Sequence, residues 1–144
     1  MAKRMPVSGK DLRFELLDHT ADLSVKIFGR SHKEIFSNSV YAFNKITVDE
    51  FSGISGETEL SITSSTIENL FVDFLSRLIF ELDANSIIYV GIKEFSLNNN
   101  SMKTIMSFSK IGDSHEYSNV IKGITYHDLV YDVIDGFAIV VFDI

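Results

Sequence analysis

The alternation of hydrophobic and polar residues predicts a series of β-strands. In residues 23–28, Leu23, Val25 and Ile27 alternate with Ser24 and Lys26, the period-two pattern of a strand buried on one face. Residues 137–142 are apolar throughout, which favours an interior strand that is covered on both faces or lies beside a partner. The other segments with strand-like patterns are 14–17, 57–63, 87–97, 103–109 and 120–126.

Two segments repeat their apolar residues at helical spacing. Between residues 67 and 79 these positions recur at intervals of three and four, which predicts one continuous apolar stripe on a helix. Burial of each large side chain in such a stripe contributes roughly 1.5–3 kcal/mol, so we expect this helix to be the main support of the sheet. A shorter helix is predicted at about 32–45. Capping boxes begin both helices, at Ser31 with Glu34 and at Ser65 with Glu68.

The order of these elements indicates an α+β fold. Two strands, a helix, a strand and a second helix are followed by four strands. Such an order is typical of two layers, with two helices packed on one face of a largely antiparallel or mixed sheet. A chain of 144 residues is typical of one domain. We therefore predict a flexible N-terminal tail at 1–13 and a single domain at 14–144.

Composition and charge exclude several classes of protein. The chain has no cysteine, which excludes disulfides, thiolate nucleophiles and cysteine-ligated zinc and is consistent with a cytoplasmic location. Its net charge of −7 argues against a dedicated nucleic-acid binder. No apolar run approaches the roughly 20 residues that cross a bilayer, so no membrane association is expected. The oligomeric state is left open.

The first polar motif, LDHTADL, lies between the first two predicted strands. Asp18, Thr20 and Asp22 alternate, so their oxygen atoms can face one side, as at the start of a calcium-binding loop. The positions that should then hold Gly and Glu hold Leu23 and Gly29, which excludes an EF-hand. The motif is therefore either part of a cation site or a turn in which aspartates cap backbone N–H groups.

A second motif, KGITYHDL, begins at Lys122, and the chain ends with Asp143 and Ile144. An acid that ends an interior strand suffers a desolvation cost unless it is paired or bound to a cation, although a solvated terminus is equally consistent with the pattern. Lys122 taken alone is typical of a solvated surface charge. His19 and His127 are candidate ligands or bases, but neither zinc nor Ser-His-Asp spacing supports either role.

Together the two motifs and the Asp143-Ile144 ending resemble the archease family, over residues 14–144. Gly123 is a mild departure, because the family often has alanine there. The resemblance implies a non-enzymatic accessory protein that activates the GTP-dependent RNA ligase of tRNA splicing. It would promote guanylylation of the ligase and multiple turnover, without strong nucleic-acid binding of its own.

The resemblance also implies a set of site residues. A divalent metal ion, calcium with magnesium or manganese as alternatives, would be held by Asp18 or Asp22 together with Asp143 and the carboxylate of Ile144. Lys122 and His19 would contact the partner or a nucleotide phosphate. Two alternatives from other classes are a metal-dependent hydrolase that uses the acids and histidine of the first motif, and a general chaperone or interaction module.

Overall fold

The fold was analysed in a computed structural model that describes residues 12–17, 22–112 and 115–144. Two helices and seven strands form in these residues, which confirms the predicted α+β class. The helices are α1 (His32–Thr47) and α2 (Ile67–Asn85). The strands are β1 (Phe14–Leu17), β2 (Leu23–Phe28), β3 (Gly56–Thr63), β4 (Ile87–Asn98), β5 (Ser101–Lys110), β6 (Gly123–Asp132) and β7 (Phe137–Asp143).

The strands divide between two antiparallel sheets, whereas the sequence led us to expect one. The first sheet has the order β1-β2-β7-β6 and the second has the order β3-β5-β4. Alternation predicts which residues form strands but not which strands pair, because any half-buried strand shows the same period. The prediction of an interior strand at 137–142 is confirmed, since β7 pairs with β2 on one side and β6 on the other.

The first capping box is confirmed with one change in its partners. Ser31 is the N-cap of α1, and its Oγ accepts a hydrogen bond from the backbone N–H of Glu34 at 3.1 Å. The Glu34 carboxylate accepts from the backbone N–H of Arg30 at 2.8 Å, one residue before the N-cap. Both groups therefore satisfy donors where α1 begins.

The second capping box is shifted by one residue from the prediction. Thr66, rather than Ser65, is the N-cap of α2, and its Oγ1 accepts from the backbone N–H of Asn69 at 3.0 Å. Ser65 Oγ instead accepts from the side-chain amide of Asn69 at 2.7 Å. Two adjacent hydroxyl residues can each cap a helix, so the pattern alone did not distinguish them.

Both helices contact both sheets and enclose a common core with them. α1 packs on β1, β2 and β4, and α2 packs on β3, β4 and β6. Phe36 of α1 is fully buried, with its ring centroid 5.0 Å from Phe74, 5.5 Å from Phe71 and Phe95, and 6.2 Å from Tyr131. These rings belong to α2, β4 and β6, so one side chain joins four elements. As predicted, the apolar stripe of α2 is part of the core.

The predicted strand at 120–126 is wrong in its bounds, because β6 begins later and contains a large bulge. Thr125 pairs with Val141 and Val130 pairs with Ile139. Five steps along β6 thus match two along β7, so β6 accommodates three extra residues. The bulge interrupts the period-two pattern from which the strand was predicted.

Most of the expected tail at 1–13 lies outside the described residues, which begin at Leu12. Arg13 accepts a backbone hydrogen bond from Phe28 at 3.0 Å, and its guanidinium carbon lies 3.3 Å from the centroid of the Tyr41 ring. In the described part of the chain, neither helix is long and apolar enough to cross a membrane.

Candidate functional site

Strands β2, β7 and β6 bring several of the predicted site residues to one end of the first sheet. Leu23 pairs with Phe142, so Asp22, one residue earlier, lies across from Asp143. On the other side of β7, Asp143 pairs with Gly123. Two aspartates that are 121 positions apart in the sequence are therefore neighbours in space.

Lys122 is anchored beside this pair through its backbone. Its N–H donates to the carbonyl oxygen of Asp143 at 2.7 Å, immediately before β6 begins. The Lys122 residue is exposed. The second motif therefore starts at the same end of the sheet as the two aspartates, with its cationic residue open to solvent or a partner.

Both aspartates line one cavity of about 360 Å³. Asp22 is half-buried and Asp143 is exposed. Of the two alternatives for Asp143, the structure shows the solvated terminus, because a residue at the very end of a strand can reach solvent although the strand itself is interior. The other lining residues are Gly123, Ile124, Thr125, His127 and Val141.

The bulge of β6 places His127 at the same cavity. Asp128 adopts a left-handed backbone conformation with φ +62°, which is uncommon outside glycine. The His127 N–H donates to Thr125 Oγ1 at 3.1 Å, and its Nε2 lies 3.3 Å from Asp128 Oδ2. Bulges often redirect a side chain beside a functional site.

His127 was predicted from the sequence as a candidate ligand or base, but not as a neighbour of the two aspartates. Thr125 was not predicted as a site residue. The signal was their place in the second motif, two residues apart. This spacing could not place the two residues at the cavity, because their position depends on the β6 bulge, which the hydrophobic pattern did not predict.

The remaining predicted site residues divide into two groups. Asp18 and His19 lie outside the described residues. Ile144 is half-buried, and its side chain packs against the hydrophobic core. The packing of Ile144 holds the chain in place immediately after Asp143.

The oxygen donors of the cavity fit a hard cation, but the described residues supply only a few of these donors. Aspartate oxygens suit calcium, magnesium or manganese better than soft metals. Calcium takes about six to eight oxygen ligands, whereas the described cavity offers the carboxylates of Asp22 and Asp143 and the Thr125 hydroxyl. Among the described residues there is no group of three or more His, Cys, Asp or Glu side chains able to hold a metal ion.

A larger cavity of about 700 Å³ lies between the end of α1 and the end of β5, lined in part by Asp49, Lys110 and His115. It contains no residue of either motif. The candidate site is therefore chosen because it joins residues of the two motifs, and cavity volume plays no part in the choice.

Comparison with known proteins gives matches over nearly the whole chain. The model of the archease protein family matches residues 14–144. Protein archease of Thermoplasma acidophilum is 34% identical over 137 residues, covering 94% of this chain and 96% of the relative. Protein archease of Methanosarcina acetivorans is 33% identical over 132 residues, covering 87% of this chain and 88% of the relative.

Two solved structures are also similar. The solution structure of protein 1598 of Methanobacterium thermoautotrophicum has a TM-score of 0.73 and 25% identity, and the match covers 93% of this chain and 100% of that chain. A crystal structure from Thermotoga maritima, described as an archease and possible chaperone, has a TM-score of 0.57 and 24% identity and covers 89% of this chain and 94% of that one. At this identity the second match supports the fold alone.

Proposed function

This chain belongs to the archease family, and we propose that it is a non-enzymatic accessory factor of the GTP-dependent RNA ligase of tRNA splicing, acting in the cytoplasm. In this proposal it promotes guanylylation of the ligase and allows each ligase molecule to turn over repeatedly. The family match covers residues 14–144, which contain both motifs.

The observation that carries the proposal is the shared cavity of Asp22 and Asp143, with Lys122 anchored beside it. The three residues come from the first motif, the C-terminal strand and the second motif. Acids and a lysine held together at the end of a rigid sheet form a compact charged surface. A surface of this kind can contact a charged group on a partner through hydrogen bonds that are stronger than neutral ones.

We assign a divalent cation to the two carboxylates, with Asp18 and the carboxylate of Ile144 as further oxygen ligands implied by the resemblance. When bound, the cation would neutralise the repulsion between carboxylates and present positive charge to an oxygen of the partner or of a nucleotide phosphate. Asp22 and Asp143 would hold it, since both line the cavity. Lys122 would supply a second, permanent positive charge at the surface.

Guanylylation of purified ligase by GTP tests the proposal directly. The assay compares the wild-type chain with Asp143→Asn and Lys122→Gln. Glu59→Gln serves as a control, because Glu59 is an exposed acid on β3 of the second sheet. We expect stimulation by the wild type and the control, and a loss of at least about tenfold in both site variants, which corresponds to roughly 1.4 kcal/mol of coupling.

Circular dichroism and thermal unfolding must first show that the variants are folded. Equal stimulation by folded Asp143→Asn and the wild type would overturn the assignment of the site. Failure of the wild type to stimulate the ligase, with or without added calcium, magnesium or manganese, would overturn the proposed function itself.

A further inference from the structure

The first sheet has a second apolar face that lies outside the hydrophobic core. Successive side chains of a strand point to opposite faces. On β7, alternate residues from Ala138 to Phe142 belong to the core cluster, whereas Phe137, Ile139 and Val141 do not. These three side chains therefore lie on the face of the sheet that points away from the core.

The strand register shows how far this face extends. Residues directly opposite each other on paired strands share a face, and Ile139 pairs with Lys26 of β2 and with Val130 of β6. Phe137 pairs with Phe28 in the same way. We call the surface formed by these side chains the outer face; its residues are Lys26, Phe28, Val130, Phe137, Ile139 and Val141.

Much of the outer face is accessible, although Val141 at its cavity end is only 1% exposed. Phe28, Phe137 and Ile139 are half-buried, and Val130 is 37% exposed. The ammonium of Lys26 lies 4.6 Å from the centroid of the Phe137 ring and 5.5 Å from that of Phe28, which keeps its charge at the surface over aromatic side chains. Among the described residues, the buried faces of both helices pack mainly into the core cluster, which lies on the other side of this sheet from the outer face. Contiguous apolar surface of this kind is typical of a protein interaction site.

Charges around the outer face favour one kind of partner. Glu15 of β1 lies opposite Lys26 in the strand register, a position at which opposite charges attract each other. Acids lie at both ends of the face: Asp22 and Asp143 at one end, where Lys122 and the proposed cation would offset part of their charge, and Asp132 at the other, opposite Phe137. An apolar centre with an acidic rim is complementary to an apolar protein surface with a basic rim.

The outer face is also continuous with the candidate site. Val141 belongs to this face and at the same time lines the cavity that contains Asp22 and Asp143. A partner that covers the face would therefore meet both carboxylates at its edge.

The size of the face argues against a stable dimer that uses this face alone. The three strands that carry the outer face are about 4.8 Å apart and roughly 20 Å long, which gives an area of about 300 Å². A stable interface usually buries about 800 Å² on each partner, so two copies joined by this face alone would associate weakly. A partner that also contacts the cavity and the β6 bulge would bury a larger area than the face alone provides.

We propose that the outer face is the docking surface for the protein partner, whose complementary surface has an apolar centre and basic rim. The acidic site at the edge of the face then acts on the docked partner. This inference rests on the proposed function in taking the RNA ligase as that partner.

Equilibrium binding to purified ligase tests the proposal with two variants of the outer face. Val130→Glu places a charge on an exposed position, and Ile139→Thr replaces an aliphatic residue by another β-branched residue. Ile54→Glu is the control, because Ile54 is also an exposed aliphatic residue, at 64%, but lies in the loop before β3. Both face variants should raise the Kd at least about tenfold, or 1.4 kcal/mol, and the control should leave it unchanged.

Guanylylation at saturating concentrations separates docking from action. The face variants should recover wild-type stimulation once enough protein is added, whereas Asp143→Asn should remain defective at saturation. Unchanged Kd values for folded Val130→Glu and Ile139→Thr, or no binding by the wild type, would overturn the docking surface. Binding that depends on the outer face without any stimulation by the wild type would support the docking surface and overturn the proposed function.

Hydrogen exchange of the wild-type complex gives a second test that needs no variant. Amides of the β6 bulge and its exposed edge, within residues 126–130, should exchange more slowly when the ligase is bound. Equal exchange in the free and bound states, with protection elsewhere, would contradict docking at this face.

Discussion

Replacement of Phe36 by alanine should strongly reduce the stability of the fold. The Phe36 ring is fully buried and lies within 6.2 Å, centroid to centroid, of four aromatic rings on α2, β4 and β6. Phe36→Ala removes these ring contacts and leaves a cavity among elements that cannot all move to fill it. The free energy of unfolding should fall by about 3–5 kcal/mol, the usual cost of a buried phenylalanine-to-alanine change.

The size of this loss makes it easy to measure. Total stabilities of domains are about 5–15 kcal/mol, and 1 kcal/mol corresponds to roughly 3 °C in Tm for a chain of this length, so Tm should fall by about 10–15 °C. Urea unfolding followed by circular dichroism should show a lower midpoint with an unchanged m-value.

Phe80→Ala is the matched control, because Phe80 is 56% exposed on α2. Its free energy of unfolding should change by less than about 1 kcal/mol. The account of the core would be refuted if Phe36→Ala were no more destabilising than Phe80→Ala.

Three further predictions concern local structure. Thr66→Ala should lower stability by about 1 kcal/mol and Ser65→Ala by less, because Thr66 caps α2; the reverse order in urea unfolding would contradict this cap. Gly29→Ala would place a β-carbon 2.6 Å from a backbone nitrogen of α1, whereas Gly91→Ala meets nothing within 4 Å. Gly29→Ala should therefore cost about 1–3 kcal/mol more than Gly91→Ala, and equal melting temperatures would refute the close packing. Burial raises the pKa of Tyr131 far above its ordinary value, and the nearby carboxylate of Glu68 raises this pKa further. The folded state thus holds the phenol proton more tightly than the unfolded chain, so this contribution to stability is complete below about pH 10 and is lost at higher pH. Tyr131→Phe should lose less stability than the wild type between about pH 8 and pH 11, and equal losses would contradict the assignment.

Local patterns predicted the elements better than their arrangement. The helical spacing of apolar residues located α2, and a continuous apolar run located the interior strand β7, because both patterns are direct consequences of burial. Whether Thr66 or Ser65 is the N-cap depends on their backbone angles, and the sequence of two adjacent hydroxyl residues does not predict these angles. The division into two sheets depends on pairing between strands that are distant in sequence.

At the candidate site, too, the sequence predicted some of the residues but not how they are arranged. Asp22 before β2 and Asp143 at the end of β7 were joined in the sequence analysis by the family resemblance; the antiparallel pairing of β2 and β7, which the pattern did not predict, is what brings these two ends together. The position of His127 could not be predicted, since it depends on the three extra residues in β6 and the left-handed backbone of Asp128. The exposure of Asp143 also required the structure.

The most direct test of the proposed function is the number of RNA products formed per ligase molecule when this protein is present below the ligase concentration. We expect several products per ligase with the wild-type chain and with Glu59→Gln, and about one product or fewer with folded Asp143→Asn. A yield that stays at one product per ligase with the wild-type chain, or multiple turnover that persists with Asp143→Asn, would contradict an activator acting through the Asp22–Asp143 cavity.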